Sequence, residues 1–160
     1  MASAIGPARQ ALWQTLLGVA WPDDLQLAFL APDVPKLFGV YLLGVSDPTE
    51  ALVLLGPEAA KEERFGIELT VKWQDPAARE DQAPDVDALA WGVAGQIRDA
   101  VLANPTLRLP GETTGTVAWA FLSSQRSPGT GHPAVTEQNQ HASGLLCVIE
   151  MTVACHARAR

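Results

Sequence analysis

Arg64-Phe-Gly-Ile-Glu-Leu-Thr-Val-Lys-Trp73 is the most regular stretch of the sequence, because an apolar residue stands at every second position. The residues that share the apolar side are Phe65, Ile67, Leu69, Val71 and Trp73. Successive side chains of a strand point to opposite faces, so the pattern predicts a strand with one buried face and one polar face. Sheets that are solvated on one side are typically antiparallel.

Helices and further strands are predicted on both sides of this long strand. Upstream we expect a helix over 7–19, then short strands over 25–30, 37–45 and 51–55, with a turn at Asp47-Pro48. Downstream we expect a polar loop over 74–84, a helix capped by Asp85 and stopped at Asn104, and strands over 115–124 and 145–156. Strands that follow one another without a helix between them favour antiparallel pairing.

The chain of 160 residues therefore reads as one α+β domain over 1–160. We expect a mostly antiparallel sheet of four to six strands with two helices packed on one face. In the strand over 115–124, Val117, Trp119 and Phe121 share one predicted face. The second faces of the last two strands also carry apolar residues, which either a contact between subunits or a helix or loop of the same chain would cover.

Composition excludes several classes of protein. Hydrophobic residues make up 48% and charged residues 18%, which argues against a disordered chain. The net charge of −7 argues against a protein that grips nucleic acid, since phosphate binding needs clustered cations. Cys147 and Cys155 lie in one predicted strand, roughly 26 Å apart, and therefore cannot pair. The chain reads as a reduced protein made in the cytosol, without a signal peptide or membrane span.

No catalytic, cofactor-binding or metal-binding residue is predicted. Gly-x-Ser-x-Gly, His-Glu-x-x-His and Gly-x-x-x-x-Gly-Lys are all absent from the sequence. Solvated positions account for His132, His141 and His156. The five tryptophans, without a basic groove, indicate core or interface packing rather than base stacking.

Two segments are candidates for contacts with other proteins. The charged cluster Lys61-Glu-Glu-Arg64 reads either as a solvated turn or as a subunit contact through Glu62, Glu63 and Arg64. The segment 125–143 reads as a loop of unusual length, which is typical of a functional or disordered segment. The candidate residues of this interaction loop are Gln125, Arg126, His132, Glu137, Gln138 and His141.

The sequence resembles the tail terminator, or tail-completion, proteins of long-tailed, siphovirus-like bacteriophages and gene-transfer particles. The resemblance covers roughly residues 8–157. Its motifs are the charged start of the long strand in 61–71, the polar loop with Asp75-Pro76, the phrase Val101-Leu-Ala-Asn-Pro-Thr-Leu107, and a final strand followed by a short basic tail. The 125–143 loop is longer than the family pattern.

The resemblance implies a structural virion protein, assembled in the host cytoplasm and located at the head–tail junction. A homo-oligomeric ring, typically a hexamer, would end polymerisation of the tail-tube protein and meet the head–tail connector or stopper. DNA would pass through its centre without specific binding, and no reaction would be catalysed. An acidic channel wall repels phosphate, and the candidate lumen acids are Glu68, Asp75, Glu80 and Asp81.

Other readings of the same sequence stay open. The nearest is another neck protein, namely a head–tail connector or stopper, or a tail-tube subunit. A small cytosolic enzyme or a monomeric ligand-binding domain would instead require polar residues that converge in a pocket.

Overall fold

The computed structural model describes residues 2–33, 36–55, 58–133 and 143–159. The helices are α1 (Ile5–Leu17) and α2 (Ala83–Ala103), and a single 3-10 turn, Glu80–Gln82, precedes α2. The strands are β1 (Gln26–Ala28), β2 (Phe38–Leu55), β3 (Glu58–Asp75), β4 (Trp119–Arg126), β5 (Thr130–Gly131) and β6 (Leu145–Ala159).

The six strands form one sheet in the order β1-β2-β3-β6-β4, and β5 pairs with β6 beyond the end of β4. Among the described strands, β1 alone runs parallel to its neighbour, and the other pairs are antiparallel. The predicted α+β class, with a mostly antiparallel sheet of four to six strands, is confirmed.

The centre of the sheet is the alternating strand from which the prediction started. Phe65, Ile67, Leu69 and Val71 of β3 are buried, as their period of two predicts. They lie opposite Cys155, Val153, Met151 and Ile149 of β6, in register and on the same face. This apolar layer is one half of the core.

Both helices pack on that layer and supply the other half of the core. The helical residues that point into it are Ala8, Ala11, Leu12 and Leu16 of α1, and Val86, Ala90, Val93, Ala94, Ile97 and Val101 of α2. Their spacing of three and four residues places them on one side of each helix. Burial of each larger side chain contributes about 1.5–3 kcal/mol.

The predicted turn at Asp47-Pro48 is wrong, because β2 continues through it as one strand. The pairing of β2 with β3 shifts register between Leu42 and Val45 and again between Ser46 and Thr49. Asp47 has a φ of 48°, which belongs to the left-handed region. The turn-forming residues are thus accommodated as bulges, and the hairpin ladder resumes on both sides of them.

The strand predicted over 115–124 begins later than expected, and its face with Trp119 and Phe121 points away from the core. β4 begins at Trp119, which pairs with His156, and Ala120 pairs with the inward-facing Cys155. Ala120 is therefore buried at 5% exposure, whereas Trp119 and Phe121 are 40% and 47% exposed. Val117 is buried, but it precedes the strand, so it does not share a face with Trp119 and Phe121 as predicted.

Candidate functional site

The sheet face opposite the helices, called here the polar face, carries an exposed aromatic patch. The patch consists of the exposed Trp119 and Phe121 and of the half-buried His156. The rings of Trp119 and Phe121 lie 5.3 Å apart between centroids, and the ring of His156 lies 5.2 Å from that of Trp119. Aromatic side chains contribute strongly to protein contacts because they bury a large area at little entropic cost.

A groove runs between this patch and α2, along the outer edge of β4. It has a volume of about 400 Å³ and is lined by Arg98 and Leu102 of α2 and by residues 121–125 of β4. Leu102 is 64% exposed. The backbone N–H of Ala120 donates to the carbonyl of Pro105 at 2.6 Å. Within the described part of the chain, β4 pairs with β6 alone, so the rest of its outer edge borders the groove.

A smaller cavity of about 270 Å³ lies on the polar face beside the patch, and Arg64, Gly66 and Trp119 line it. A Cβ atom on Gly66 would approach Ser46 Oγ to 2.5 Å and Thr152 Cγ2 to 2.7 Å. Only glycine fits there without a shift of those two side chains, because such distances are below van der Waals contact. The absence of a side chain at Gly66 therefore leaves a depression in the surface between Arg64 and Trp119.

The three predicted subunit-contact residues lie within β3 and not in a turn. Glu62 accepts a hydrogen bond from Arg158 at 2.9 Å, and its other oxygen is 3.7 Å from His156 Nε2. Arg64 is exposed beside the aromatic patch. Both side chains therefore belong to the polar face and are accessible there in part.

Glu63 differs from its neighbours because it points to the other side and is buried at 4% exposure. Its Oε2 accepts the backbone N–H of Ala4 at 2.5 Å, and its Oε1 lies 3.0 Å from Lys61 Nζ. Glu63 thus fixes the start of α1 to the sheet. It is engaged within the chain, so only Glu62 and Arg64 remain accessible to a second subunit.

The contacts of Glu63 also determine its ionisation. Burial by itself raises its pKa, but the N–H of Ala4, Lys61 and the hydroxyl of Ser3 together lower the pKa below the ordinary glutamate value. Lys61 shows the converse, since hydrogen bonds to Glu50 and Glu63 raise its pKa. The pair is therefore charged at neutral pH.

The four candidate lumen acids do not share one surface. Asp75, at the end of β3, accepts the N–H of Ala77, and Glu80 and Asp81 follow in the exposed 3-10 turn. Glu68 lies on the polar face, where it accepts the hydroxyl of Thr152 at 3.0 Å. It is seven residues from Asp75 along β3, which corresponds to roughly 23 Å. Asp75, Glu80 and Asp81 form the acidic end of the molecule, and Glu68 stands apart.

The predicted loop over 125–143 begins later than expected. Gln125 and Arg126 belong to β4, and Arg126 donates to Glu150 of β6 at 2.7 Å. His132 Nδ1 donates to the carbonyl of Gly144 at 2.9 Å, next to the short strand β5. Glu137, Gln138 and His141 lie outside the described residues.

The remaining side chains that could react or bind a metal are either buried like small hydrophobic residues or exposed to solvent. Cys147 and Cys155 are unpaired and buried, and burial raises the pKa of Cys155 to about 12. Desolvation also raises the pKa of Cys147. Among the described residues, no three His, Cys, Asp or Glu side chains are placed to hold a metal ion.

Sequence reasoning missed the exposure of the aromatic pair and of Leu102. Leu102 could have been found, because it interrupts the polar side of α2 beside the buried Val101. Trp91, predicted as core or interface, is 37% exposed on the same helix. The orientation of Trp119 depends on its pairing with His156, which the sequence pattern does not contain.

Comparisons with known proteins leave the family of this chain open. No protein-family model matches the chain, and no curated protein is significantly similar to it. No helix in the described ranges is both long and apolar enough to cross a membrane.

Proposed function

We propose that the chain is a structural virion protein that forms a ring at the head-proximal end of a tail tube. The ring ends polymerisation of the tube protein and joins the tail to the head connector, and DNA passes through its centre. The subunits act through their shape and repetition, and no covalent bond is made or broken.

The exposed aromatic patch on an edge strand is the observation that carries this proposal. Trp119 and Phe121 are 40% and 47% exposed, and they lie beside a groove at the border of the sheet. Large apolar side chains grouped at a sheet edge are typical of surfaces that contact another protein. A ring needs such a surface on every subunit, because head-to-tail contacts close it.

The charge distribution supports the passage of DNA. Glu80 and Asp81 are exposed at the acidic end, and Arg79 lies beside them, 3.3 Å from Asp81. A channel wall lined by carboxylates repels phosphate, so that DNA slides without binding. The exposed Glu80 and Asp81 are better candidates for that wall than Glu68, which accepts the hydroxyl of Thr152 on the polar face.

Removal of the chain from its own particle tests the proposal. Without it, we expect tails of uncontrolled length that do not join filled heads, as seen by electron microscopy. Normal tails attached to heads would overturn the proposal. A label on the chain should mark the neck alone. A label along the whole tube would instead identify a tail-tube subunit.

A pair of matched variants connects this result to the surface. Trp119→Ala removes an exposed tryptophan from the patch, and Trp91→Ala removes one of similar exposure, 37%, from α2. We expect Trp119→Ala to reduce the yield of joined particles and Trp91→Ala to leave it unchanged. Equal yields from the two variants would show that the aromatic patch is not needed for assembly.

A further inference from the structure

Arg64 is a cation of the polar face that no described carboxylate neutralises. The residue is exposed beside the aromatic patch, and none of the ion pairs among the described residues includes it. Glu62, two residues away on the same strand, binds Arg158 at 2.9 Å instead. Asp47 lines the same cavity without forming an ion pair with Arg64. Arg64 is therefore available to a carboxylate from a second molecule.

The sheet holds this cation and the aromatic patch around one depression. Arg64 pairs with His156 across β3 and β6, and His156 pairs with Trp119 across β6 and β4, so the three form one row. The next row along the sheet has two small residues and an aromatic one, namely Gly66, Ala154 and Phe121. Because β3 and β4 are two strands apart, Arg64 and Trp119 stand about 10 Å from each other.

The loop that follows β1, residues 29–33 and called here the β1 loop, carries a matching pair of exposed side chains. Leu30 is 65% exposed, the highest value for a large hydrophobic side chain among the described residues. Asp33 is exposed too, and no ion pair among the described residues includes it. Pro32 fixes its own φ and favours an extended conformation in the residue before it. From Leu30 to Asp33 an extended chain spans at most about 10 Å, which matches the spacing of the guanidinium and the indole on the polar face.

The β1 loop and the aromatic patch belong to opposite borders of the sheet. In the strand order β1-β2-β3-β6-β4 the first and last strands are four spacings apart, which is roughly 19 Å. One copy cannot bring its own loop to its own patch, so a contact between them joins two copies head to tail. The registers place Ala28, at the end of β1, level with Arg126 of β4. From there β1 runs toward the level of Phe121, so a neighbour that stands side by side in the same orientation presents its loop to the patch.

We propose that the β1 loop of one copy docks on the polar face of the next, with Leu30 against Trp119 and Phe121 and with Asp33 bound to Arg64. The charge pair lies beside an apolar contact that excludes water, and opposite charges attract more strongly there than in bulk solvent. The proline in the loop limits the conformational entropy that docking costs. This inference rests on the proposed ring and assigns the surfaces that close it.

Charge reversal on the two sides of the contact tests the docking. D33R places two arginines against each other in every interface, and R64D places two aspartates there, so each single variant should weaken ring association by at least about tenfold. The double variant D33R/R64D restores the pair in reversed order and should recover association. An equimolar mixture of the two single variants should recover it as well, because the two kinds of copy can alternate, with an original pair at one contact and a reversed pair at the next.

The matched controls reverse an exposed charge of the same sign elsewhere on the molecule. Asp23 and Arg108 are exposed and lie outside the proposed contact, so D23R and R108D should associate like the wild-type chain. Light scattering and sedimentation measure association, and circular dichroism shows that each variant is folded. In the folded protein, W119A/F121A should also weaken ring association by at least about tenfold.

The outcomes separate this inference from the proposed function. A ring mass that D33R and R64D both retain would overturn the docking and leave the ring intact. Failure of both the double variant and the mixture to recover association would also overturn the docking. If the wild-type chain forms rings only on the tail tube, the yield of joined particles replaces the mass as the readout, and the same ranking of variants is expected. Persistent monomers, with normal tails made in the absence of the chain, would overturn the function itself.

Discussion

Replacing Glu63 with alanine tests whether one buried carboxylate fixes α1 to the sheet. The side chain accepts the N–H of Ala4 at 2.5 Å and lies 3.0 Å from Lys61 Nζ. A hydrogen bond to a charged group is worth about 1.5–3 kcal/mol. Loss of the contact with Lys61 adds little to this destabilisation, because Lys61 Nζ still lies 2.8 Å from Glu50 Oε1.

We therefore expect Glu63→Ala to lower the free energy of unfolding by about 2–3 kcal/mol. For a chain of this size that corresponds to a fall of about 5–10 °C in Tm. Thermal and urea unfolding, followed by circular dichroism and tryptophan fluorescence, measure both quantities. The matched control is Glu50→Ala, which removes the exposed partner of Lys61 and should cost less than about 1 kcal/mol.

The pH dependence gives a second readout of the same contact. Because the folded protein lowers the pKa of Glu63 below 4.5, its contribution is fully present above that value and is lost as the pH falls through the folded pKa. Glu63→Gln should remove this part of the acid destabilisation while keeping the shape of the side chain. The reasoning is refuted if Glu63→Ala and Glu50→Ala cost the same, or if Glu63→Gln leaves the acid limb unchanged.

Three further predictions concern the core and the cysteines. Gly66→Ala should destabilise the fold by about 1–3 kcal/mol, because its Cβ would come within 2.7 Å of Thr152 Cγ2. Gly44→Ala should not destabilise the fold, because the space around its Cβ is open. Equal urea midpoints for these two variants would contradict the close packing around Gly66. Ile97→Ala should cost about 2–5 kcal/mol as a core truncation, whereas the exposed Leu102→Ala should cost less than about 0.5 kcal/mol; a large loss for Leu102 in thermal melts would mean that it supports the fold. Burial raises the pKa of Cys155 to about 12, so a colorimetric thiol reagent at pH 8 should label no cysteine until denaturant is added, and prompt labelling of the native protein would show that the last strand opens.

Local patterns were sufficient for the interior of the fold. The period of two in β3 predicted which residues face the helices, because alternation is a property of any strand. The buried residues of α2 recur at spacings of three and four for the same kind of reason, since 3.6 residues complete a turn. The resemblance to tail terminators supplied a function, which stays a prediction.

The local sequence patterns did not predict the surface that this function needs. Sequence alone determined that the chain has two helices on one face of an antiparallel sheet. Only the tertiary structure decided that Trp119 faces outward, that Glu63 turns inward to Ala4, and that β2 passes through Asp47-Pro48 unbroken. Each of these depends on which residue lies opposite in a distant strand or helix, and pairing across long loops is settled by the packing of the whole domain.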